Sequence, residues 1–185
     1  MIPPLIRVLV AVACWSVSSS AWAHEARTLS EAVALLDSKE PLTRWEGFLR
    51  IEALRDPEAM DVVERAARSP EDATRAWGVR ALLAIQGRRG IPRLVDVLSQ
   101  DTSGDVRRAA VLALDPWVSE DDTIVSALIA AADDADAVVR LAVADVLGRV
   151  ATPSVRDALI ARWHEERHRD VRRVLSRALR HLAEP

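Results

Sequence analysis

Five short segments of this 185-residue chain line up on a shared arginine: Thr43-Arg44, Thr74-Arg75, Val106-Arg107, Val139-Arg140 and Val171-Arg172, with the arginines 31, 32, 33 and 32 residues apart. So regular a spacing argues against one ordinary globule and for repeated units that lean on their neighbours. Taking each arginine as zero, position +7 is Ile51, Leu82, Leu114, Leu147 and Leu179, and position +10 is Leu54, Ile85, Trp117, Val150 and Leu182. Position +3 is Gly47, Gly78, Ala110, Val143 and Leu175. Positions −1, +3, +7 and +10 share one side of a helix of about 3.6 residues per turn, so each segment is expected to be an amphipathic helix with a buried stripe.

Upstream of each lies another apolar-periodic run: Leu29 to Leu36, Ala59 to Ala66, Ile91 to Leu98, Ile124 to Ala131 and Val155 to Trp163. These are the expected first helices, and the arginine-bearing segments the second. Polar turns such as Ser69-Pro70-Glu71-Asp72 and Asp101-Thr102-Ser103-Gly104 separate the two, with the breakers and caps that end one helix and start another. Thr28 and Glu31 have the spacing of a capping box. Two short helices in about 32 residues cannot bury an apolar stripe alone, so the units are expected to stack into a solenoid.

The residues Asp105 to Leu114 resemble the second helix of a HEAT-like repeat, of the short type named after the phycobilisome lyases, and Asp136 to Leu147 and Asp170 to Leu179 are similar. The resemblance covers roughly residues 28 to 183. It implies an all-α fold, a right-handed α-solenoid (superhelix) of about five HEAT-like helix pairs, armadillo-like in class. Enzyme subunits, pigment lyases, nucleic-acid enzymes and plain adaptors all occur in such families, so the fold does not choose a function. The first repeat departs most, with Trp45, Gly47 and Phe48 where small aliphatic residues are usual, as suits a terminal cap. The resemblance also implies that the repeated arginine pairs with an acidic residue of a neighbouring turn. Asp72, Asp105, Asp136 and Asp170 stand two to four residues before Arg75, Arg107, Arg140 and Arg172 and are the candidates.

Residues 1–23 differ from the rest: a single charge, Arg7, then an apolar run from Val8 to Trp15, then a serine-rich stretch ending Ala21-Trp22-Ala23. That is the pattern of a secretory signal peptide, too short in its apolar core for the roughly 20 residues of a membrane-spanning helix. The expectation is cleavage near Ala23, release to the periplasm or beyond, and a HEAT-like repeat domain over residues 24–185, with no integral membrane span. Lipidation of Cys14, which follows Ala11-Val12-Ala13, is the alternative. Cleavage removes Cys14, the only cysteine, so the mature chain is expected to hold no disulfide, thiol nucleophile or cysteine metal site.

A formal charge of −3 offers no broad positive field, which disfavours nucleic acid as a partner. The charge is uneven: residues 154–185 carry eight arginines against five acidic residues, a net of +3, while residues 24–153 carry 16 against 23, a net of −7. No glycine-rich phosphate loop, nucleophile elbow or paired-carboxylate signature appears, and no cofactor is expected.

The segment His164-Glu165-Glu166-Arg167-His168 spells the zinc-binding H-E-x-x-H of metalloproteases, which requires both histidines on one face of a continuous helix. The repeat register instead places the motif across the end of a first helix and the following turn, so a metal-binding protein or metal-dependent enzyme using His164, Glu165 and His168, with His24 as a further ligand, is the lesser expectation. Trp117 is expected in the +10 core column and Trp163 at a first-helix core position. The favoured site is the outer face of the second helices, positions +1, +5 and +8, which in this fold usually lines the concave surface. There Trp45, Leu49, Leu83, Leu112 and Leu141 interleave with Arg80, Arg108, Arg173 and Arg177, the apolar and arginine content of a protein-binding surface. The reading is therefore an exported, non-catalytic scaffold with a protein partner.

Overall fold

The structure, a computed structural model, describes residues 28–183. The signal-peptide reading of residues 1–23, Cys14 and His24 lie outside the described residues. Among these residues the fold is all-helical with no strand, and the chain divides into two compact units between Ala59 and Met60.

The first unit is one helix pair, α1 (Leu29–Leu36) and α2 (Pro41–Leu54). Thr28 opens α1, its hydroxyl accepting the Glu31 N–H at 3.2 Å, and Pro41 opens α2 where no backbone donor is needed. The helices close on Gly47: a Cβ there would lie 2.7 Å from Leu36 Cδ2 and 2.8 Å from the Ala32 carbonyl. Phe48 and Ile51 complete the buried side with Ala32.

The second unit stacks four pairs: α3 (Met60–Ala66) with α4 (Asp72–Gln86), α5 (Ile91–Gln100) with α6 (Gly104–Leu114), α7 (Asp122–Ala131) with α8 (Ala137–Leu147), and α9 (Pro153–Glu165) with α10 (Arg169–His181). Each first helix packs on its own second helix, and successive second helices pack side by side, α4 on α6, α6 on α8 and α8 on α10. Side chains of Asp121, Asp136 and Thr152 cap the starts of α7, α8 and α9 through the N–H groups of Thr123, Val138 and Val155.

Position +3 is buried in all five repeats, and position +7 in the first four. Position +10 is not the core column the periodicity suggested: Leu54 is exposed, Ile85, Trp117 and Val150 are half-buried, and Leu182 alone is buried. In the third and fourth repeats helix length contributes. α6 and α8 end at +7, and a 3-10 turn over Asp115–Trp117 carries Trp117 off the helical period, where Arg88 stacks on its ring at 5.8 Å. The stripe widens instead through +4, with Phe48, Val79, Val111 and Ala144 fully buried.

Candidate functional site

The five repeat arginines share one local bond. Each donates from Nη1 to the carbonyl six residues earlier: Arg44 to Ser38 (3.2 Å), Arg75 to Ser69 (2.7 Å), Arg107 to Asp101 (2.8 Å), Arg140 to Asp134 (2.7 Å) and Arg172 to Glu166 (3.4 Å). That bond ties the turn between the two helices of a repeat to the second helix. The rest of the guanidinium fork of Arg75, Arg107 and Arg140 reaches the side chain at that same position one repeat on. Arg75 grips Asp101 at 2.8 and 3.1 Å, Arg107 grips Asp134 at 2.7 and 2.6 Å, and Arg140 grips Glu166 at 2.7 and 3.0 Å. These are bidentate, charge-assisted pairs.

Each carboxylate is held a second time by its own backbone: the N–H groups of Ser103, Asp136 and His168 donate to Asp101, Asp134 and Glu166. The consequence is electrostatic. The Arg140 hydrogen bonds, outweighing burial, hold Glu166 down to about 2. Burial pushes Asp101 and Asp134 up, but the bonds from Arg75 and Arg107 and from the backbone amides win, and both carboxyls lie below their ordinary value.

The structural role expected for the arginines therefore holds, with different acceptors. Of the candidates Asp72, Asp105, Asp136 and Asp170, only Asp72 meets its arginine, at 2.8 Å. Asp136 spends its carboxylate on capping α8, and Asp170 meets Arg173 at 3.3 Å. A second set of cross-repeat pairs lies nearer the far ends of the second helices: Arg88 with Glu120 (2.6 Å), Arg149 with Asp115 (2.7 Å) and Arg177 with Asp145 (2.6 Å).

Within the second unit the outer-face residues fall on neighbouring helices: Arg80 on α4, Arg108 and Leu112 on α6, Leu141 on α8, Arg173 and Arg177 on α10. Arg108 and Arg173 are exposed, and Leu112 is 41% exposed, while Arg80 and Leu141 are half-buried. Trp45 and Leu49 are half-buried on α2 of the first unit. Leu83 does not belong to the exposed set. It is buried at 3%, because the backbone entering α5 passes so close that a Cβ on Gly90 would lie 3.1 Å from its Cδ1. Between α8 and α10 a groove of about 270 Å³ opens, edged by Asp145, Arg149, Arg177 and His181, with the His181 Nδ1 3.1 Å from the Gly148 carbonyl.

The histidine motif is split by the fold. His164 lies on α9, Glu166 ends that helix, and His168 caps the start of α10, so the two imidazoles share no helix face. Glu166 is only 2% exposed and taken by Arg140, and His164 sets its ring edgewise against Trp163 at 5.2 Å. Among the described residues no cluster of three or more histidine, cysteine or acidic side chains is arranged to hold a metal. No helix there is long and apolar enough to cross a membrane.

Stacked helix pairs joined by a periodic arginine–carboxylate ladder define a helical-repeat scaffold. The family model described as HEAT repeats matches residues 29–115 and 91–180, and the chain belongs to the HEAT repeat family. No curated protein matches it. Among solved structures, human deoxyhypusine hydroxylase in complex with glycerol is similar at 20% identity over 86% of this chain and 75% of that one, with a TM-score of 0.36.

Proposed function

We propose that this protein is an exported, non-catalytic scaffold that binds a protein partner through the outer face of its second helices. One observation carries the reading: Leu112 is exposed beside exposed Arg108 on α6, with Leu141 on neighbouring α8. An apolar side chain flanked by an arginine is the composition of interface anchors, and a surface presented by packed helices binds without a large ordering cost. Arg75, Arg107 and Arg140 are engaged inside the fold, which leaves recognition on this face to the +1 and +5 positions. Export rests on residues 1–23, whose charge and apolar pattern suit a signal peptide cleaved near Ala23.

Arg108→Glu combined with Leu112→Ala should leave the melting curve within a degree or two of wild type and abolish capture of the partner in a crosslinked pull-down. Undiminished capture by a variant that melts normally removes this face from the function. Detection of the full-length, unprocessed chain in the cytoplasm would overturn export.

A further inference from the structure

The helix pair α9–α10 is the last among the described residues, and it retains the half of the ladder that elsewhere receives a further repeat. We propose that this end is a second docking site, which takes a helix–turn–helix segment of a protein partner bearing a carboxylate in its turn and an apolar stripe on its helices. The site is distinct from the outer face of the second helices.

Three preceding rungs set the pattern: Arg75, Arg107 and Arg140 each hold their own turn carbonyl and a carboxylate 26 or 27 residues further on. Arg172 keeps the first bond, to the Glu166 carbonyl, and among the described residues no carboxylate reaches it. Its guanidinium lies instead over the Trp163 ring at 4.5 Å. An exposed arginine held over an indole ring is preorganised to accept a carboxylate in a fork.

The apolar surface beside it is incomplete in the same way. Leu147 at +7 of α8 is fully buried, with α10 packed against that helix. Its counterpart Leu179 is half-buried, and Ile160 is 39% exposed. With Trp163 they line a shallow groove of about 400 Å³, whose floor is fixed by the Trp163 Nε1 donating to Ser176 Oγ at 2.8 Å. The charge names the occupant: residues 154–185 carry +3, so an acidic segment is attracted. A second copy meeting this end symmetrically would oppose Arg172 to Arg172 and be repelled.

The probe is a labelled synthetic peptide copying residues 122–148 of this chain, which carry five acidic residues against one arginine, a net of −4; this segment holds α7 and α8, covers the equivalent face two repeats earlier and supplies Asp134 to Arg107. Added to the full chain, it should bind. Arg172→Ala in the chain, or Asp134→Asn in the peptide, should each weaken binding at least about tenfold, and the two together no more than either alone. Tethering the peptide to the C-terminus through a flexible linker raises its effective concentration to about millimolar, and hydrogen exchange in α9 and α10 should then slow in an Arg172-dependent way. Three results overturn the proposal: no binding in trans together with no protection when tethered; binding indifferent to both substitutions, as displacement of the chain's own α7–α8 would give; or equal weakening by Leu112→Ala.

Discussion

Arg140 on α8 and Glu166 at the end of α9 lie 26 residues apart and meet in a two-bond fork of 2.7 and 3.0 Å, with the carboxylate side chain 1% exposed. So enclosed a carboxylate cannot be left without its donor cheaply. Arg140→Ala should cost about 3 kcal/mol, because it strands a buried charge. Arg88→Ala breaks an equally short pair with Glu120 in which both side chains are half exposed, and should cost less than about 1 kcal/mol. Urea denaturation of both variants checks this, and equal losses would contradict the ladder's structural weight.

Acid should attack the same rung. With Glu166 held down to about 2 against an ordinary 4.5, the folded state binds its proton later than the unfolded chain does. The stabilisation is therefore complete above about pH 4.5 and lost as pH falls towards 2. Asp101 and Asp134 are shifted the same way and add to the slope. Glu166→Gln should be less stable at neutral pH and lose less further stability between pH 4.5 and 2; an unchanged pH slope would show that Glu166 is not held by Arg140.

Gly78 lies inside α4, where alanine normally stabilises a helix by about 0.5–1 kcal/mol. A Cβ at this position would stand 2.6 Å from the Ala66 carbonyl carbon and 2.9 Å from Ala66 Cβ, against α3. Overpacking of this kind costs about 1–3 kcal/mol, so Gly78→Ala should lower the melting temperature. A rise would mean that α3 and α4 do not pack this closely.

Leu114 is fully buried at the end of α6 in the middle of the second unit. Leu114→Ala should cost about 2–5 kcal/mol through lost burial and the cavity left behind, and should broaden the unfolding transition because neighbouring repeats become less coupled. An unchanged melting curve would disprove the repeat register.

The helix pairs were legible because the arginine spacing and the apolar period both act within a few residues. In the third and fourth repeats position +10 misled because α6 and α8 stop at +7, and nothing in the period announces a helix end. The acceptors were missed because the residue six before each arginine changes from Ser38 and Ser69 to Asp101, Asp134 and Glu166 and stands in a turn. The available signal was the count forward, since a carboxylate recurs 26 or 27 residues after Arg75, Arg107 and Arg140. Leu83 read as outward because one helix shows only its own faces, whereas its burial comes from Gly90 at the start of the next pair.

The central claim, partner binding by the outer face of the second helices, is tested most directly by photo-crosslinking from Leu112 on α6 against Ser126 on α7, both exposed, in cells that make the protein. The account predicts a discrete protein adduct from position 112, lost on Arg108→Glu, and none from position 126. Adducts from both positions alike, or from 126 alone, would contradict it.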